Sequence, residues 1–379
     1  MIPSEFSGDS AQAHSWCERL EAGSTSAQVL LLLAGTETAE VPGISAAGAT
    51  AAARRLTAAA DAELLLLGPG QGRPHALPPL PAGVSPALIS HVVCRELALH
   101  PLVVDLGCPV APAVPHLWLA QAPARCLGTG AAMAPERVRS LLRLGERWGR
   151  GWARRPGQPP LVLAECVPGG TSTAQAVLTG LGIEAAGLVS GSLRQQAHGL
   201  KADLVEQGLR AAGLWATRQS GTVDPLRVVA AVGDPMQPLA AGIVLAAANC
   251  GLPLLLAGGS QMAAVLALAL ALAPAALRSK LVGGAGLATT AWVAAEPDSD
   301  LALLLRRIGA RWRVEPLAFA TGLRFHGCRS RSLRDFERGY VKEGVGAGGL
   351  ALLWELSGRP LAQLREACDL ACEQLEASS

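Results

Sequence analysis

The chain has 379 residues, enough for one large domain or two ordinary ones. Half are hydrophobic, yet only four are Phe and one is Tyr, so Ala, Leu, Val and Gly must build any core. This favours closely packed helices against a sheet over an aromatic-rich sandwich, and a formal net charge of +2 argues against a general nucleic-acid or membrane-surface binder.

The first segment, "MIPSEFSGDSAQAHSW", has no basic stretch leading into an apolar one, so no secretory signal is expected. Six short apolar runs that end in glycine or a polar turn then read as buried parallel strands. They are "VLLLLAGT" (29–36), "AELLLLGPG" (62–70), "PLVVDLGC" (101–108), "PLVLAECVPGG" (160–170), "LRVVAAVGDP" (226–235) and "LPLLLAGGS" (252–260). Ala/Leu-rich segments of helical spacing, such as 172–181 and 261–273, lie between them. The Pro/Arg-rich run 149–160 reads as a loop entering the next strand. The long apolar stretch 239–277 is broken by Asn249, "GLP" and "GGSQ" and reads as helix, strand, turn and helix rather than a membrane span. The chain closes on a helix over 360–375.

Strand followed by helix, repeated, predicts an α/β fold: a doubly wound, mostly parallel, Rossmann-like sheet with helices on both faces. We expect a single domain over 1–379, its terminal segments (about 1–27 and 340–379) packing as a small helical unit.

Ligands in such sheets bind beyond the carboxyl ends of the strands. The strongest signal there is "AECVPGGTSTAQAVL" (164–178). Glu165 ends a strand, Pro168, Gly169 and Gly170 make a close-approach turn, and Thr171, Ser172 and Thr173 open a helix whose free N–H groups suit a phosphate. An ordinary helix cap would use the same residues, and no Lys completes a Walker A loop. Lys201 is one of three lysines in an arginine-rich chain, a solvated helix residue or a charge over that phosphate. Asp234 in "GDPMQP" follows another apolar run, and "AGGSQ" places Gly259 and Ser260 in a second strand-to-helix turn. Gly344, Gly346 and Gly349 in "VKEGVGAGGLALLWE" match G-x-G-x-x-G, but only helical patterns follow, so the dinucleotide fingerprint fails. What remains there is Glu343 on a glycine-rich turn. Nine cysteines carry no CxxC pair and no His cluster, so buried thiols in a reducing cytoplasm are expected, without a metal.

Taken together, "TETAEVPGISAAGA" (36–49), "ECVPGGTSTAQAVLTGLG" (165–182), "VGDPM" (232–236), "LLLAGGSQMAAVLAL" (254–268) and "GYVKEGVGAGG" (339–349) resemble the nicotinate-nucleotide:dimethylbenzimidazole phosphoribosyltransferase (CobT-like) family, most closely its archaeal and cyanobacterial branch. The resemblance spans nearly the whole chain. "KEGVGAG" is similar to the bacterial G-E-G-T-G-A motif, which implies Glu343 as the catalytic base. "AECVPGGTST" is similar to the bacterial phosphate loop and implies ribose and phosphate contacts for Glu165 and for Gly169, Gly170, Thr171, Ser172 and Thr173. Lys201 then takes the phosphate-contact role and Gly259 and Ser260 lie near the nucleotide; Asp234, in the similar "VGDPM", is a further candidate contact, though plain strand-to-helix punctuation would use the same residues. The family's N-terminal P-L-x-S-L-G-x-L-E motif has no counterpart in this chain.

The resemblance implies transfer of phosphoribose from nicotinate mononucleotide to dimethylbenzimidazole or a related base, a purine included, giving an α-riboside 5′-phosphate and nicotinate. Such chemistry needs one carboxylate base, a phosphate anchor and a flat apolar pocket, with no metal or cofactor. The pyridinium leaves as a neutral ring and needs no general acid. The family also implies a homodimer. A non-catalytic nucleotide-binding protein with the same fold is the alternative.

Overall fold

The computed structural model describes residues 4–218 and 223–378. They form one eight-stranded sheet: β1 (Ser4–Ser7), β2 (Gln28–Leu33), β3 (Leu102–Asp105), β4 (Leu117–Trp118), β5 (Leu161–Cys166), β6 (Leu254–Ala257), β7 (Ala285–Thr289) and β8 (Leu317–Ala320). Their order is β1-β8-β7-β6-β5-β2-β3-β4, and every pairing is parallel except that of β1 with β8. This is the doubly wound, mostly parallel α/β architecture that the sequence pattern predicts.

The strand β2 shows why its sequence is an unbroken apolar run. Leu30 and Leu32 enter one core cluster, and Val29, Leu31 and Leu33 enter a second on the opposite face. Both faces are covered, so alternation with polar residues would bury unpaired groups. Helices Pro135–Ala153, Gly170–Gly180, Met236–Cys250 and Ser260–Leu272 cover the first face. Helices Ser10–Ala22, Ala51–Leu67, Ala87–Glu96, Ala347–Leu356 and Leu361–Ser378 cover the second. The chain winds outward from β2 to β3 on one side and from β5 through β6 and β7 to β8 on the other. Its direction reverses between β2 and β5, which opens a crevice above their carboxyl ends.

Two expected strands are helical. The run at 226–235 becomes helix Pro225–Val232, because Asp224 caps it through its side chain on Leu226 N–H (2.9 Å) and Pro225 occupies the first turn. The run at 62–70 supplies the end of helix Ala51–Leu67, which Thr50 caps at Ala53 N–H (3.1 Å). Asp234 therefore follows a helix rather than a strand. Four strands escaped the sequence pattern: β1, β4, β7 and β8. In β7, "AGLAT" is short and small because the Trp16 ring lies over Gly286, where an added Cβ would sit 2.6 Å from it. Trp16 also stacks on Phe319 of β8 with centroids 5.0 Å apart.

The terminal segments meet on the second face, where helix Ser10–Ala22 touches helix Ala347–Leu356, while β1 extends the sheet. Residues 239–277 fold largely as helix, strand, turn and helix. No helix among the described residues is long and apolar enough to cross a membrane.

Candidate active site

A cavity of about 710 Å³ opens beyond the carboxyl ends of β5, β6 and β7. Its walls come from the turns after β5 and β6, the loop 190–195, the proline-rich segment 77–86 and the loop 340–344. This volume suits a small-molecule site with room for a nucleotide and a flat ring.

At one end, β5 runs into helix Gly170–Gly180 through Gly169, whose φ of 79° lies in the left-handed region. No side chain caps this helix, and Thr171 lines the cavity beside Gly169 and Gly170. Gly191 faces them from the loop. An added Cβ there would meet Lys201 Nζ at 2.9 Å, Gln196 Oε1 at 2.9 Å and Thr171 Oγ1 at 3.4 Å. The Lys201 ammonium therefore stands directly behind the cavity wall. It is 1% exposed and donates to Gln196 Oε1 at 3.2 Å. Burial, together with the Lys342 charge, lowers its pKa to about 8 despite the opposing charge of Glu296. A cation so thinly paired beside an uncapped helix start has the charge and donors that suit an anion.

Glu343 also lines this cavity. Its backbone context is strained: Val341, Lys342 and Val345 have φ of 66°, 62° and 54°. Two β-branched residues in the left-handed region are an outlier held by the surroundings. Each carboxylate oxygen accepts two hydrogen bonds. Oε2 accepts from Thr289 Oγ1 (3.0 Å) and Thr290 N–H (2.9 Å), and Oε1 from Gly344 N–H (3.0 Å) and Gly348 N–H (3.1 Å). Burial raises its pKa, and these four donors offset part of the rise. Gly348 permits that approach, because an added Cβ would lie 2.2 Å from the Thr289 carbonyl carbon and 2.5 Å from Glu343 Oε2.

Glu165, which also lines the cavity, is 4% exposed, accepts from Val167 N–H at 3.1 Å and bonds the Gln261 side chain. Burial first, then the charges of Asp234 and Glu343, push its pKa up to about 8. Ser260 Oγ receives Ser190 N–H at 2.9 Å and so pins the loop to the helix start after β6. The segment 77–86 adds an apolar patch of Leu77, Leu80, Val84 and Pro86, and Asp61 and Ser85 also line the cavity. Ser85 Oγ donates to Asp61 Oδ1 at 2.6 Å, and Cys166 Sγ lies 3.4 Å from Oδ2. Burial raises the Asp61 pKa to about 6 against these two bonds.

A family model described as Phosphoribosyltransferase (DBI_PRT) matches residues 86–288. The chain belongs to the DBI_PRT phosphoribosyltransferase family. It is 52% identical to a UPF0284 protein of Prochlorococcus marinus (strain MIT 9313), over 96% of this chain and 90% of that one. It is 51% identical to a UPF0284 protein of Parasynechococcus marenigrum (strain WH8102), over 100% of this chain and 94% of that one. Among solved structures, CobT from Thermus thermophilus shares the fold with a TM-score of 0.54 at 18% identity, covering 97% of this chain and 98% of that one.

In this phosphoribosyltransferase, the expected residues fall into two groups. Glu343, Glu165, Gly169, Gly170, Thr171, Gly259 and Ser260 line one cavity, and Lys201 stands one residue behind it. Ser172, Thr173 and Asp234 lie fully buried behind the wall. Thr173 Oγ1 donates to Asp234 Oδ2 at 2.5 Å, and Asp234 Oδ1 takes Met236 N–H at 3.0 Å. This pair braces two helix starts, and burial raises the Asp234 pKa to about 6. Sequence reasoning passed over Asp61, Ser85, Gln261, Thr289, Thr290 and Lys342. Asp61 had a visible signal: it stands in "AAADAELLLL", a charged residue inside an apolar helical run.

Proposed function

We propose that this phosphoribosyltransferase moves the phosphoribosyl group of nicotinate mononucleotide to a benzimidazole or purine base, releasing nicotinate and an α-riboside 5′-phosphate. The observation that carries the reading is one cavity that brings together a helix start suited to an anion at Gly169–Thr171 and Lys201, a carboxylate of raised pKa, Glu343, and an apolar patch.

The donor's phosphate seats on the helix start, and Lys201 supplies the charge that Gln196 only partly satisfies. Glu165 lines the same cavity, and its carboxyl, which keeps its proton up to about pH 8, accepts one ribose hydroxyl through its carbonyl oxygen and donates to another. The acceptor ring lies against Leu77, Leu80, Val84 and Pro86, where Asp61 and Ser85 meet a polar ring edge. As its nitrogen attacks C1′, the C1′–N bond to nicotinate breaks and that electron pair neutralises the pyridinium. Glu343 takes the proton from the second nitrogen of the attacking ring.

Glu343 already accepts four hydrogen bonds, about the full capacity of a carboxylate. Three of the donors are fixed backbone N–H groups. The fourth, the Thr289 hydroxyl, can rotate its hydrogen away and free a lone pair for the ring N–H. The backbone donors then hold the carboxylate in place through the transfer.

The test is to incubate pure protein with nicotinate mononucleotide and a panel of dimethylbenzimidazole, benzimidazole and adenine, then separate the products by chromatography. A new α-riboside phosphate and stoichiometric nicotinate are expected. Tight nucleotide binding by calorimetry with no product from any base would replace this reading by that of a nucleotide-binding protein.

A further inference from the structure

Behind the cavity lies a second group of buried charges that the proposed chemistry does not use. Lys342 is 1% exposed, and its Nζ donates to Glu296 Oε1 at 2.6 Å and to the Leu193 carbonyl at 2.9 Å. Glu296 also accepts from Gln196 Nε2 at 2.9 Å and from Ser299 Oγ at 2.9 Å. The Gln196 amide reaches back to the carbonyls of Leu193 (2.7 Å) and Gly191 (3.2 Å), while its oxygen receives Lys201. A continuous polar chain thus runs from the anion site through Lys201, Gln196 and Glu296 to Lys342, whose own backbone continues into Glu343.

As a stabilising device this arrangement is poor. Desolvating an ion pair cancels much of its attraction, and apolar replacement of such pairs is often neutral. As a means of fixing a backbone it is good. The residues it grips, Val341 and Lys342, hold the left-handed φ values that turn Glu343 toward the cavity. The Lys342 carbonyl is held from the other side by Thr290 Oγ1 at 2.7 Å, and Thr290 N–H also bonds Glu343. The other end of the tether holds the loop 190–196, whose Gly191 separates Lys201 from the cavity.

We propose that Lys342 is a positioning residue: its ammonium, clamped between Glu296 and the Leu193 carbonyl, fixes the strained turn that aims Glu343 and at the same time holds the loop that walls the donor site. This rests on the reading of Glu343 as the base. Loss of the clamp lets the turn relax toward unstrained dihedrals and withdraws the carboxylate from the acceptor ring, while the helix start at Gly169–Thr171 keeps its form.

The test compares the parent with Lys342→Met, Glu296→Gln and the double variant Lys342→Met/Glu296→Gln, the last removing both charges so that neither is left buried alone. Each is measured by steady-state kinetics and by hydrogen–deuterium exchange. Lys342→Met lowers kcat by about 100-fold, the effect of an ångström-scale misplacement, and changes the donor KM far less. The double variant loses no more than Lys342→Met, because the two side chains act as one unit. Exchange quickens in residues 190–196 and 339–346 and stays unchanged in β5 and helix Gly170–Gly180. A folded double variant with kcat within about three-fold of the parent and both segments as protected as before overturns the proposal. If the parent turns over no base, quickened exchange in both segments still supports the clamp while the transferase reading falls. Unchanged exchange overturns the clamp in that case too.

Discussion

Glu165→Gln tests the electrostatics of the cavity without any substrate. The Glu165 carboxyl titrates near 4.5 in an unstructured chain and at about 8 in its buried place, for which burial is the first cause and the charges of Asp234 and Glu343 the next. Between those values the native state holds a proton that the unfolded state has released. Stability is therefore full below about pH 4.5 and declines as pH rises toward 8. A gap of about 3.5 pH units, at about 1.4 kcal/mol each, gives a ceiling of about 5 kcal/mol. The amide of Glu165→Gln keeps the shape, still accepts Val167 N–H through its oxygen and carries no charge to desolvate. Guanidinium denaturation of parent and variant at pH 5, 7 and 9 reads the difference. The two should be nearly equally stable at pH 5, with the variant ahead by roughly 2–5 kcal/mol at pH 9. A difference that stays flat across this range would refute the buried, proton-holding carboxylate. Glu343→Gln adds an internal check: removing one neighbouring charge should move the Glu165 transition to lower pH.

Three other outcomes follow from the same geometry. Glu343→Gln keeps nucleotide affinity by calorimetry but lowers kcat by roughly 10²–10⁴-fold, the usual span for a lost general base; near-parent turnover would remove the role. Thr289→Val deletes one of the four donors that lower the Glu343 pKa, so the acidic limb of the kcat profile moves to higher pH, because the ionised form of the base is harder to reach. Lys201→Met weakens nicotinate mononucleotide binding by about 10-fold or more, and in the parent that affinity falls above pH 8 as the ammonium loses its proton; a variant with parent affinity would show that the helix start suffices alone.

The architecture was legible where burial on two faces forces an unbroken apolar run, as in β2, β5 and β6. It was misleading at 62–70 and 226–235, where the same composition belongs to helices. There the deciding information was local: Thr50 ahead of one helix, and Asp224 with Pro225 ahead of the other. Composition says that a segment is buried, and capping chemistry says in what form. The short strands β7 and β8 were invisible for a different reason. Both meet Trp16, distant in sequence, which lies over Gly286 of β7 and stacks on Phe319 of β8.

The site was legible along single loops and illegible across them. Glu165 ends a strand, Gly169, Thr171, Gly259 and Ser260 follow one, and the topology alone brings these strand ends to one edge. Thr289 ends a strand and Thr290 follows it, but the pattern did not reveal that strand. Asp61 and Ser85 reach the cavity from the helical face, where no rule about strand ends applies. Lys342 is one of only three lysines and stands directly beside Glu343, but sequence alone gives it no role. Its meaning depends on Glu296, 46 residues earlier in the chain, and on the Leu193 carbonyl, which no side-chain pattern encodes. The same holds for the glycines of "EGVGAGG". They fit a cofactor fingerprint by spacing, yet Gly346 adopts φ of 75° with an added Cβ only 2.7 Å from Ala164, and Gly348 lets a backbone N–H reach the carboxylate. These glycines seat a helix on β5–β7 and wrap its first turn around Glu343, so the motif is a cradle for a protein side chain rather than for a ligand.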